Sequence, residues 1–165
     1  MPDLPPFEIF AEIYRRHGHR CPMSTLGGRL GWAARRRLPE VPEAELHAVY
    51  RIDTCAVEGI RCTTGCEEAS GTLEVRSEGE HRLTLVERRS GRGIEAALRP
   101  EALTRAGEYR RLDEALERDR SGLDPAGLDR RLREKEAFLD ALLENLRTLP
   151  DEELLELRLL AVESE

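Results

Sequence analysis

Two short stretches hold the residues able to bind a metal or attack an electrophile. One is His17–Pro22, H-G-H-R-C-P, and the other is Asp53–Cys66, D-T-C-A-V-E-G-I-R-C-T-T-G-C. Together they contain all four cysteines and two of the four histidines. Imidazole and thiolate suit zinc and several other transition metals. A thiolate is also a nucleophile. His17, His19 and Cys21 alternate, so an extended segment would point all three the same way. Pro22 disfavours a helical Cys21 and supports that extended reading. A buried free cysteine is also an ordinary small hydrophobe. Four cysteines in two clusters favour a shared site over four separate burials.

The second stretch reads as a helix capped by Asp53 or Thr54 and running to about Thr64. Cys55, Glu58, Gly59 and Cys62 are then three and four residues apart and share one face. Gly65 is placed to end the helix in the left-handed conformation. Cys66 sits just past that end, where the chain could turn it back toward the same side. Leu46–Ile52 precedes this helix and reads as a strand from its β-branched and aromatic content. Helix amides at the strand's carboxyl end would stabilise a thiolate at Cys55.

Phe7 to about Arg16 reads as a first helix, with Phe7, Phe10, Ala11 and Tyr14 as its stripe and Ile9 and Ile13 widening it. Such a helix is well buried or crosses a partner. Ser24 to Leu38 reads as a second helix capped by Ser24. Gly27, Gly28 and Gly31 each cost about 1 kcal/mol relative to alanine in a helix. Close approach by a backbone or a ligand would compensate. No G-x-x-x-x-G-K-[ST] phosphate loop is present. Residues 72–76, 82–88 and 93–98 read as three short strands in a meander. His47 reads as a surface histidine and His81 as a strand-edge one. Pro100 opens a helix over 101–120, and Asp124-Pro125 opens a long leucine-rich one with heptad-like spacing. Pro150 is expected to start a last helix carrying Leu154, Leu155, Leu157 and Leu160. These helices carry no histidine or cysteine, so packing rather than chemistry is expected of them.

The chain has 165 residues, enough for one domain with a sizeable core. The formal charge is -7, which disfavours generic nucleic-acid binding. Lys135 is the only lysine among 26 basic residues, an arginine bias of composition. The opening residues Met1–Pro6 lack the basic and apolar regions of a secretory leader. No run of 18 apolar residues exists, so no membrane partner is expected. A cytoplasmic setting follows by default. Reduced thiols there favour metal binding, catalysis or burial over disulfides.

The motifs H-G-H-R-C-P at 17–22, L-G-G-R-L at 26–30, I-D-T-C-A-V-E-G-I at 52–60, T-G-C at 64–66 and R-S-G-R-G-I-E-A-A-L-R-P at 89–100 resemble the FmdE-like family, named after the FmdE component of formylmethanofuran dehydrogenase. The resemblance covers roughly residues 6–104. It implies an α+β core with helices packed on a mainly antiparallel sheet, often in an intertwined homodimer. Residues 1–104 are then that core. Residues 105–165 are a helical C-terminal extension, either a hairpin tail or a dimerisation element. Some family members carry a C-terminal zinc finger, which a cysteine-free tail excludes here. The family usually has Asp where this chain has Glu58. Its T-x-G-K-G-N stretch is replaced by Glu67–Gly71 without a lysine, and Cys62 is an extra thiol.

Three functions follow as expectations. In the first, one transition metal sits on His19, Cys21, Cys55 and Cys66, with His17 and Cys62 as alternates. Zinc leads, and iron or nickel also suit these ligands. Cys55, Glu58 and His17 are then the candidate catalytic groups, with Glu58 as acid, base or outer support, in a redox-type enzyme or an accessory of a redox pathway. In the second, no metal is used: Cys55 is the nucleophile, Cys21 or Cys62 resolves it, and His19 is the base. In the third, the protein is a scaffold or accessory subunit of a redox complex or biosynthetic partner.

Overall fold

The computed structural model describes residues 1–160. The first helix, α1 (Phe7–His17), ends where Gly18 enters the left-handed region at φ 90° and donates to the Tyr14 carbonyl. Only Phe10, Ile13 and Tyr14 of the expected stripe are buried, and Phe7 is 62 % exposed. The second helix, α2 (Pro22–Arg35), starts two residues earlier than expected. Cys21, not Ser24, is its cap: the backbone is extended there and its sulfur accepts from the Ser24 N–H. Pro22 fits the first helical position because it has no amide to leave unpaired.

The strand β1 (Leu46–Tyr50) leads through Arg51–Cys55 into α3 (Ala56–Thr64), which ends at a left-handed Gly65. The next strands are β2 (Leu73–Val75), β3 (Arg82–Glu87) and β4 (Gly93–Leu98). The long helices α4 (Pro100–Asp119) and α5 (Pro125–Thr148) follow. Asp124 caps α5 by accepting from the Gly127 N–H at 2.8 Å. A four-residue helix, α6 (Asp151–Leu154), and a strand, β5 (Leu155–Leu160), close the described chain. Residues 161–165 of the expected extension lie outside the described residues.

Among the described residues, five strands form one mixed sheet in the order β2-β1-β3-β4-β5. Two expectations are corrected here. The three middle strands do not form a simple meander, because β1 lies between β2 and β3 and pairs with β2 in parallel. Parallel neighbours need a crossover, and α3 supplies it. The last leucines do not continue a helix either: Leu155–Leu160 pairs antiparallel with β4. The segment L-E-L-R-L alternates at period two. Its good helix formers are overridden by pairing with an open sheet edge.

One face of the sheet is apolar and carries Leu46, Ala48, Tyr50, Leu83, Leu85, Ile94 and Ala96, all buried. The helix α2 packs over β3 and β4 on that face, and Leu142, Leu146 and Leu154 close the same core. A smaller cluster joins Phe10, Ile13 and Tyr14 of α1 to Leu139 and Leu143 of α5. The other sheet face carries an ion-paired row in which Glu95 accepts from Arg82 at 2.5 Å and from Arg158 at 3.0 Å.

The glycines of α2 find their explanation in the helices packed on it, α3 above all. A Cβ on Gly27 would lie 2.0 Å from the Ala56 carbonyl oxygen, and one on Gly59 would lie 2.2 Å from the Gly28 nitrogen. The two helices touch backbone to backbone. Gly28 instead faces the Ile13 and Phe10 side chains of α1, and Gly31 faces Thr63 of α3, so the compensation for the three helical glycines is close protein packing, not a ligand. Arg29, also on α2, is fully buried: it donates to the Leu146 carbonyl at 2.7 Å, to the Leu149 carbonyl, and to Asp151 at 3.1 Å. This satisfies carbonyls that the end of α5 would otherwise leave open.

Candidate metal centre

The glycine crossing brings the starts of α2 and α3 together, and each start carries a cysteine. Cys21 caps α2, and Cys55 stands immediately before α3. Thr54 completes the second cap by accepting from the Ala56 N–H at 3.3 Å. The left-handed turn at Gly18 swings His17 and His19 to the same place, with ring centroids 4.3 Å apart. Arg20 pins this loop to α5 through Asp140 at 2.6 Å and through Glu136. One ligand atom from each of His17, His19, Cys21 and Cys55 then lies within 4.8 Å of the other three.

The electrostatics suit a cation. Burial makes the His17 imidazole harder to protonate; nearby His19 adds to this and Glu58 opposes it. A neutral imidazole is the form that ligates. Burial pushes the Cys55 thiol up, and the adjacent Cys21 sulfur pushes it further. The expected lowering by helix amides is therefore outweighed. Two sulfurs side by side in a partly buried place resist ionising together unless a cation joins them.

Among the described residues, His17 Nε2 is buried without a hydrogen-bond partner, which costs about 1–3 kcal/mol when nothing compensates. Glu58 lies near it on α3, its side chain 13 % exposed. Arg61 holds its Oε2 at 2.8 Å. Its Oε1 is 2.9 Å from Arg16 Nε, an ion pair by distance, yet poor alignment leaves that oxygen without a hydrogen bond.

Cys66 stands apart. It is fully buried in the main core beside residues such as Leu73, and burial pushes its thiol up. The reason is helical rise: the nine residues of α3 carry the chain roughly 13 Å along the axis, so Cys66 emerges at the far end from Cys55. Cys62 is two turns along the same helix. It packs beside the α1 cluster and accepts from Arg16 at 3.7 Å. His81 lies nearer the cysteines than a strand-edge position suggests. It shares a hydrogen bond of 3.3 Å with the buried Tyr50 hydroxyl. With Cys21, Cys55 and residues of α4, it lines a cavity of about 400 Å³. That wall of α4 bears no motif in the sequence, only Leu103, Ala106, Gly107 and Arg110 at helical spacing with Tyr109 beside them, so nothing there signals a site.

A probable S-adenosyl-L-methionine-binding protein of Archaeoglobus fulgidus is 29% identical to the chain over 84 residues, which are 47% of this chain and 23% of that protein. The crystal structure of a tungsten formylmethanofuran dehydrogenase FmdE-like protein from Syntrophus aciditrophicus superposes with a TM-score of 0.63 at 21% identity. That match covers 99% of this chain and 78% of the other, and it shares the fold. The profile of the FmdE family, described as molybdenum formylmethanofuran dehydrogenase operon, matches residues 16–156, and the chain belongs to that family.

Proposed function

We propose that the protein is a metal protein whose centre is built by His17, His19, Cys21 and Cys55, with zinc as the ion. The observation that carries this is the convergence of four imidazole and thiol groups, from two distant segments, within 4.8 Å. A tetrahedral zinc site spaces its ligand atoms roughly 3.3–3.8 Å apart, given bonds of about 2.3 Å to sulfur and 2.0–2.1 Å to nitrogen. Closing the cluster therefore asks for about 1 Å of side-chain movement. Two thiolates and two neutral imidazoles also give a neutral complex with a divalent ion, which suits a partly buried place. The orphaned His17 Nε2 gains a partner on either route, as ligand atom or as donor to Glu58.

When bound, the ion would supply Lewis acidity and would hold both sulfurs as thiolates. The protein's own groups do the rest. Cys21, the one buried member, anchors the ion, with the half-buried His17 and Cys55 beside it. The exposed His19 is the ligand best placed to yield its position to an incoming molecule, which separates a catalytic centre from a closed structural one. Glu58, held by Arg16 and Arg61, would accept from His17 and orient it once His17 closes on the ion. The redox role and the partner protein of a redox pathway belong to the same reading, by analogy with the family. So does a homodimer, supported by the edge position of β5 in the described sheet and by Leu159, which is 73 % exposed.

Elemental analysis of anaerobically purified protein tests this reading, with thiols titrated in parallel. About one zinc per chain is expected; iron or nickel in its place would keep the centre and overturn the choice of ion. Cys21→Ser and Cys55→Ser should lose it, and Cys66→Ser should keep it. A chain without metal and with fast-reacting Cys55 would refute the centre and favour metal-free thiol chemistry.

A further inference from the structure

The cavity of about 400 Å³ beside the cysteines has in its wall one residue, Gly107, that protein packing does not explain. On α4, Leu103, Ala106, Gly107 and Arg110 recur at helical spacing and face it. Gly107 is an interior helix residue, where glycine costs about 1 kcal/mol relative to alanine. At Gly27 and Gly59 the opposing backbone demands glycine. At Gly107 an added Cβ would meet nothing within 4 Å. The space in front of it is open, and it opens onto Cys21 and Cys55.

The lining is specific in character. Met23, Ile52, Leu103, Ala106 and Tyr109 make it mainly apolar. Besides the two thiols and the Tyr109 hydroxyl, its polar groups are Thr54, His81 and Arg110, and among the described residues no carboxylate lines it, in a chain of net charge -7. Arg110 pairs with Glu114 at 3.0 Å, both side chains well exposed. Such a surface pair contributes about 0–1 kcal/mol and yields readily to another anion. The volume falls within the range of small-molecule sites, about 300–1,000 Å³.

We propose that this cavity is the substrate pocket of the metal centre and that it takes a small organic carboxylate with an apolar, ring-sized body. The carboxylate meets Arg110 at the mouth, and the body lies along Leu103, Gly107 and Tyr109 toward Cys55. As a substrate pocket it rests on the metal-centre reading; as a binding site it stands on its own lining.

The test is a titration of zinc-loaded protein with naphthalene-2-acetate, read by ligand fluorescence and calorimetry. Saturable binding of one molecule per chain is expected. Gly107→Leu, which fills the pocket from its wall, should weaken binding at least tenfold. Arg110→Glu should weaken naphthalene-2-acetate severalfold and leave neutral 2-acetylnaphthalene unchanged. No saturable binding, or equal binding by the native protein and Gly107→Leu, overturns the proposal. If Gly107→Leu loses its helical circular dichroism, Arg110→Glu decides alone, its site being on the surface: an unchanged carboxylate affinity overturns the proposal. Zinc is measured on the same samples, so the two failures separate. Zinc without naphthalene-2-acetate binding sinks the pocket and leaves the centre. Binding without zinc keeps the pocket and sinks the centre.

Discussion

Replacing Gly59 by alanine should damage both the fold and the metal centre, because one crossing serves both. The new Cβ would lie 2.2 Å from the Gly28 nitrogen, 2.3 Å from the Ser24 carbonyl oxygen and 2.6 Å from the Gly27 carbonyl carbon. All three are backbone atoms, so no side chain can swing away. Reaching ordinary contact at 3.4 Å from 2.2 Å forces the helices apart by about 1.2 Å. Overpacking of this kind costs about 1–3 kcal/mol or more. Alanine returns about 1 kcal/mol through helix propensity. With three backbone contacts the cost falls at the upper end, so a net loss of about 2 kcal/mol is expected, read as a lower midpoint in urea at unchanged slope. The same retreat moves Cys55 at the head of α3 away from Cys21 at the head of α2. It is comparable to the whole closure the cluster needs, so zinc affinity in a chelator competition should fall about 10–100-fold, the range seen when the support of a metal site is disturbed. Gly107→Ala is the control: its methyl meets open space, and it should raise stability by about 0.4–1 kcal/mol. If Gly59→Ala matched that control in urea and bound zinc like the native protein, the helix crossing would not be what positions the site.

Arg29→Leu removes a buried guanidinium that closes the end of α5 and pairs with Asp151; a loss of about 1–3 kcal/mol is expected, because the buried carbonyl of Leu146 loses its donor while Asp151 keeps Arg36, and urea unfolding measures it. Burial works to raise the Glu95 carboxyl, but Arg82 and then Arg158 outweigh it and hold the carboxyl below the ordinary range. A lowered carboxylate contributes stability that is full above the unfolded pKa and is lost as pH falls through the folded one. Native protein should therefore lose more stability on acidification below the ordinary carboxylate range than Glu95→Gln, in urea titrations from neutral to acid pH; parallel curves would refute this. Zinc binding must displace the proton that burial and Cys21 hold on Cys55, so chelator competition should show affinity rising with pH through neutrality, and a flat profile would mean that this thiol is not a ligand.

Local chemistry was legible wherever a residue type decides the backbone. Gly65 ends α3, Pro100 and Asp124-Pro125 open the long helices, and β4 falls on residues 93–98 as spaced. What the sequence hid depends on the choice of neighbour. The strand β2 pairs with β1 rather than with β3, and Leu155–Leu160 becomes a strand because β4 offers it an edge. Neither choice leaves a mark in local periodicity beyond an alternation that helix-forming residues mask.

The site was half legible for a similar reason. The alternation of His17, His19 and Cys21 was visible, and the structure gathers all three. It does so through a left-handed Gly18 rather than through a continuous strand. Closeness in sequence places Cys66 in the expected ligand set, and the structure puts it at the far end of α3. The rise of α3 shows why closeness along a helix is distance in space: a ligand one turn away stays near, and one three turns away does not. The same rise explains why Cys55 meets Cys21 instead. Both cysteines stand at helix starts, and two helices that cross through glycines bring their starts together. The glycines of α2 and α3 are therefore as much a part of the centre as the sulfurs. Their spacing, Gly27 and Gly31 against Gly59, is the sequence signal that α2 and α3 cross, and with it the signal for which cysteine pairs with which.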